Sequence, residues 1–117
     1  MKLNHLHLTV TDVLAAENFL TTYFGLHSPR TEADNRNFGV MFDDGGMVLT
    51  LMKAGHGTEV KYPGHFHIGF GQPTDADVDA LYVRFKADGF DVEPPQRAHA
   101  WSFYVDAPGG FTVEVLS

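Results

Sequence analysis

Two short segments place chemically capable side chains at regular spacing. Asn4-His5-Leu6-His7-Leu8 and Gly64-His65-Phe66-His67-Ile68 both alternate histidine with apolar residues, His65 standing 60 positions after His5. A second pair, Gly45-Gly46-Met47-Val48-Leu49-Thr50-Leu51-Met52 and Gly109-Gly110-Phe111-Thr112-Val113-Glu114-Val115-Leu116, sets Glu114 64 positions after Thr50. Imidazole and carboxylate are ligands for divalent first-row metals, and two histidines with one carboxylate leave the remaining coordination positions open to substrate. The repeat therefore nominates His5, His65 and Glu114 as metal ligands, with Thr50, a poor donor, in the fourth equivalent place. An ion such as Fe, Mn, Ni, Co or Zn would keep a local charge of about +1 beside one carboxylate, suited as a Lewis acid to a small ligand with two neighbouring oxygens. His7 and His67 lie two residues beyond the histidine ligands, on the same strand face, as candidates for general base or hydrogen-bond donor. Tyr104 is a candidate oxygen-contacting donor, and His99 and Trp101 are candidates for the pocket rim, with burial in the core an equal alternative for Trp101.

Positioning such a set requires strands with two distinct faces. Leu6, Leu8 and Val10 alternate with His5, His7 and Thr9, the period of a half-buried strand. Asp12 then caps a helix with the stripe Val13, Ala16, Leu20 and Tyr23, and Gly25 supplies a left-handed stop. In the second half Thr74 and Asp77 form a capping signal; Val78, Leu81, Tyr82 and Phe85 line one face until Gly89. Strands are expected near His27–Glu32, Asn37–Phe42 and Met47–Lys53, and again near Phe90–Glu93, Trp101–Val105 and Phe111–Leu116. Each half thus reads βαβββ, about 1–54 and 64–117, joined by a linker about 55–63 within one domain spanning 1–117. The four-residue slip between the two offsets is taken up by a longer helical segment in the second half.

Composition narrows the function classes. The 117 residues carry 8 Lys+Arg against 15 Asp+Glu, a net charge of −7, which disfavours nucleic acid as a partner. No apolar run approaches the roughly 20 residues of a membrane span, and the N-terminal residues lack a secretory pattern, so a cytoplasmic location is expected. Zero Cys removes disulfides, thiolate metal sites and a cysteine nucleophile. Hydrophobic content of 44 %, with ten Phe, suffices for an ordinary α+β core.

Asn4-His5-Leu6-x-Leu8-x-Val10-x-Asp12, Phe24-Gly25-Leu26 and Asp106-x-Pro108-x-Gly110-x-x-x-Glu114 together resemble the vicinal oxygen chelate superfamily, which contains glyoxalase I, extradiol dioxygenases, fosfomycin resistance thiol transferases and bleomycin resistance proteins. The resemblance covers essentially the whole chain. It implies paired βαβββ modules forming an open U-shaped half-barrel around a metal, with His5, His65 and Glu114 on three of four ligand positions. It also implies a homodimer acting on a small-molecule substrate by lyase, dioxygenase or thiol-transferase chemistry, with the metal site within one chain or shared between two. Thr50 stands where glyoxalase I-like members carry a carboxylate, which counts against a four-ligand glyoxalase. Gln96-Arg97-Ala98-His99-Ala100-Trp101 departs from the Ser/Gly-rich loop of the fosfomycin enzymes, and extradiol dioxygenases are typically much longer. The competing class is a metal-free, bleomycin-resistance-like protein that sequesters a small molecule in the same cleft, for which the acidic charge and the aromatics Phe38, Trp101, Phe103 and Tyr104 speak.

Overall fold

A computed structural model describes residues 1–31 and 34–117. The described residues form an α+β fold of seven strands in two sheets with two helices and no closed barrel. The chain divides into two compact units, Met1–Lys61 with Pro108–Gly110 and Tyr62–Ala107 with Phe111–Ser117.

In the first unit, β1 (His5–Val10), α1 (Val13–Phe24), β2 (Phe38–Phe42) and β3 (Val48–Lys53) follow in order. The sheet order is β1-β3-β2, with β1 parallel and β2 antiparallel to β3. Asp12 caps α1 by accepting the Ala15 N–H at 3.0 Å, and Gly25 ends it at φ 66°. Alternation sends Leu8, Val10, Met41, Leu49 and Leu51 into the core, where α1 packs on β2 and β3. The buried face of α1 includes Glu17 as well as Val13, Ala16, Phe19 and Leu20. A carboxylate is tolerated there because Arg30 meets it with Nε to Oε2 at 2.6 Å and Nη2 to Oε1 at 3.1 Å.

The second unit runs β4 (Ile68–Gly71), α2 (Asp75–Ala87), β5 (Gln96–Arg97), β6 (Trp101–Ala107) and β7 (Phe111–Leu116), in sheet order β4-β7-β6-β5. Thr74 caps α2, its Oγ1 accepting the Asp77 N–H at 3.2 Å. Tyr82 and Phe85 meet Phe103 edge-on at 5.8 and 6.1 Å between centroids, so Phe103 marks the helix-facing side of this sheet.

Two expected strands do not form among the described residues, and prolines stand in or beside both. The segment expected near His27–Glu32 contributes only a bridge between His27 and Phe42, with Glu32 outside the described residues. The segment expected near Phe90–Glu93 forms no strand, and pairing starts at Gln96. Pro29 interrupts the first and Pro94-Pro95 follow the second, and proline has no N–H for a sheet ladder. The histidine segment before β4 is also displaced: Phe66 donates its N–H to the Pro63 carbonyl at 2.9 Å, so Gly64 and His65 form a turn and the strand begins only at Ile68.

Candidate active site

Glu114 interrupts the apolar run of β7, and alternation turns it away from α2, opposite the side of Phe103. It is nevertheless only 4 % exposed. Three side chains of its own unit cover it. His67 Nε2 lies 3.2 Å from Oε2, His99 Nε2 lies 2.9 Å from Oε1, and the Tyr104 hydroxyl donates to Oε1 at 3.1 Å. Tyr104 reaches Glu114 because the two are directly paired across β6 and β7. Its ring also meets the His67 imidazole edge-on at 5.3 Å. Burial, and then the hydrogen bond to the Glu114 carboxylate, hold the Tyr104 phenol above its ordinary pKa, so it stays a proton donor at neutral pH.

His67 is oriented from behind. Its Nδ1–H donates to the His65 carbonyl at 3.0 Å, directing Nε2 toward Glu114. Ligating histidines are commonly fixed in this way, with one ring nitrogen tied to a carbonyl and the other free to bind. In the first unit His5 shows the same local device, its Nδ1 lying 2.7 Å from Asn4 Oδ1. His7 Nδ1 lies 2.7 Å from Thr50 Oγ1, the two being register partners on β1 and β3.

The ladders correct the repeat alignment. His7 opposes Thr50 in the first sheet, and Gly69 opposes Glu114 in the second. Matching Thr50 with Glu114 therefore matches His7 with Gly69, and His5 with His67 rather than with His65. His65 sits in the Pro63–Phe66 turn, and its backbone carbonyl holds His67. The helix caps carried the correct signal, since Asp12 and Thr74 stand 62 positions apart, as do His5 and His67. The true slip between the halves is two residues.

His99 borders a cleft of about 420 Å³ that Ser102, Tyr104, Gln96 and Asp106 also line. Trp101, a candidate for the rim or for burial, is half-buried against α2, its Nε1–H donating to Asp79 Oδ1 at 2.8 Å and its ring lying under the Arg97 guanidinium. The contact of His99 with Glu114 had no signature in the sequence, because the loop before β6 shows no periodicity. Among the described residues no three His, Asp or Glu side chains converge as a complete metal-ligand set. The donor chemistry of His67 Nε2 and the Glu114 carboxylate nonetheless suits a divalent ion, one nitrogen and one oxygen donor being held together.

A profile of the Glyoxalase/Bleomycin resistance protein/Dioxygenase superfamily matches residues 2–115. The chain belongs to that superfamily. Among solved structures it is similar to a possible glyoxalase from Bacillus cereus, at 51 % identity and TM-score 0.90, covering 100 % of this chain and 99 % of the other. It is also similar to lactoylglutathione lyase from Agrobacterium tumefaciens, at 25 % identity and TM-score 0.72, covering 98 % and 92 %. A mutant of the fosfomycin resistance protein FosX from Listeria monocytogenes, complexed with Mn(II) and 1S,2S-dihydroxypropylphosphonic acid, shares the fold at 20 % identity and TM-score 0.78, covering 99 % and 91 %. No curated protein matches the chain. None of the helices among the described residues is long and apolar enough to cross a membrane.

Proposed function

We propose that this superfamily member is a metal-dependent enzyme, in which His5, His67 and Glu114 hold one divalent ion and a small substrate is bound through two neighbouring oxygens. His67 takes the ligand role first assigned to His65. The observation that carries the reading is the buried Glu114 carboxylate facing a His67 Nε2 whose other nitrogen is tied to a backbone carbonyl. His5 enters because it holds the register place in β1 that His67 holds ahead of β4, with its own Nδ1 satisfied by Asn4.

When bound, the ion supplies Lewis acidity to the substrate oxygens. The chain's own residues supply the rest. Tyr104, kept protonated by burial and by Glu114, donates a hydrogen bond to a substrate oxygen once its present acceptor is engaged elsewhere. His7, oriented by Thr50, accepts or returns a proton. His99, at the mouth of the cleft and more than half exposed, holds the outer side of the Glu114 carboxylate. The reading extends to a homodimer with a small-molecule substrate, as small members of the superfamily commonly pair.

Titration calorimetry with Mn(II), Ni(II) or Zn(II) tests this. One site per chain is expected, weakened more than about a hundredfold by His67→Ala or Glu114→Gln, beyond the range of outer-shell changes. His65→Ala, which retains the backbone carbonyl, should leave affinity within about tenfold. Equal binding by wild type and Glu114→Gln would overturn the metal reading in favour of a metal-free protein that sequesters its ligand.

A further inference from the structure

The cleft of about 420 Å³ beside Tyr104 lies wholly within the second unit, and its lining carries charge of one sign. Asp91, Glu93 and Asp106 border it, and among the described residues no Lys or Arg does. The chain brings the three carboxylates there by separate routes. Phe90 packs edge-on against Phe85 at 5.0 Å and Val92 is buried, which leaves Asp91 and Glu93 facing away from the core. Pro94 and Pro95 then restrict the backbone that follows. On β6, Ser102, Tyr104 and Asp106 share the face opposite Phe103 and Val105, and Asp106 Oδ1 accepts the Thr112 hydroxyl at 3.0 Å. Arg97, on the neighbouring strand, is committed elsewhere, to Asp75 and to the Trp101 ring.

A second, independent observation points to a ligand. Ser102 lines the same cleft at only 7 % exposed, yet its hydroxyl has no hydrogen-bond partner among the described residues. A hydroxyl so placed is costly to leave unpaired. Gln96, its register partner on β5, adds an amide oxygen to the lining. Water would satisfy the hydroxyl but would not neutralise three like charges gathered in one concavity. An ammonium group does both, since it brings one positive charge and three donors to a lining rich in acceptors. We infer that the substrate carries an alkylammonium group, which sits in this cleft while its paired oxygens lie at the Glu114 end. The inference rests on the proposed metal reading only for the oxygen end of that ligand; the ammonium seat stands on the lining of the cleft alone.

4-Amino-2-hydroxybutanoate and 2-hydroxypentanoate present the same α-hydroxy-carboxylate on chains of equal length, ending in ammonium and methyl, so they serve as probes. Each is titrated into the ¹⁵N-labelled full chain at low ionic strength, with and without Zn(II). The amino compound is expected to shift the Ser102 and Gln96 amide signals and to bind about tenfold or more tighter than its methyl counterpart. The double variant Asp91→Asn/Glu93→Gln, altered at two exposed positions, should bring that preference below about threefold. Equal affinities overturn the inference. So does a preference unchanged in the double variant, which would assign it to the net charge of the whole chain or to zinc chelation by the amine. If Zn(II) does not bind but the amino compound still shifts Ser102 and Gln96, the metal reading fails and the ammonium seat stands. If Zn(II) binds and the two probes bind equally, the seat fails and the metal reading stands.

Discussion

Gly39→Ala tests whether the buried ion pair under β2 dictates that glycine. A Cβ at Gly39 would stand 2.3 Å from Glu17 Oε1, 3.0 Å from its Cδ and 3.1 Å from Val13 Cγ1, where ordinary contact needs about 3.5 Å. A glutamate normally swings aside at little cost. This one is pinned, because Arg30 meets both of its oxygens and also donates to the Asn35 carbonyl at 2.8 Å and to the Phe38 carbonyl. With the two side chains only 7 % and 17 % exposed, displacing the carboxylate leaves an uncompensated charge. The expected loss is about 3 kcal/mol, the lower end for breaking a buried pair, or roughly 12 °C in Tm for a domain of this size. In a Glu17→Ala background only the 3.1 Å approach to Val13 Cγ1 is left, and Gly39→Ala should cost no more than about 1 kcal/mol. Urea unfolding of the four proteins, followed by circular dichroism, closes the cycle with a coupling of about 2 kcal/mol or more. An equal cost of Gly39→Ala in both backgrounds would refute the reasoning.

Asp75, at the start of α2, is held below its ordinary pKa by hydrogen bonds from Ser117 and from Arg97. A depressed folded-state pKa gives stability that is present above the unfolded value and lost as pH falls through the folded one. Carboxyl NMR should show Asp75 titrating below an ordinary aspartate and moving upward in Ser117→Ala, and an unchanged titration in that variant would remove the assigned cause. Light scattering at micromolar concentration is expected to give a particle of twice the 12.9 kDa chain mass, and a monomer mass would defeat the homodimer.

Residues close in sequence specified most of the local structure. Asp12, Gly25 and Thr74 set helix ends through hydrogen bonds and backbone angles spanning a few residues, and the alternation in β1, β3 and β7 fixed which side chains face the core. The resemblance carried by His5, Asp12, Asp106 and Glu114 was sufficient for the superfamily. The prolines at 29, 94 and 95 stand in or beside the segments where expected strands did not form, and Phe90 and Val92 argued for a strand ahead of the second pair. Tertiary structure alone decided which histidine meets Glu114. Strand alternation makes His65 and His67 equivalent, since both would lie on one face, and the choice falls to the Pro63–Phe66 turn and the β4–β7 register. Likewise Glu17 reads as the polar side of α1 until Arg30, thirteen residues on, arrives to neutralise it. His99 joins Glu114 from an irregular loop. Periodicity records which face a residue takes on its own element; which residue from elsewhere meets it there depends on register and loop geometry, and those are settled only when the sheets assemble.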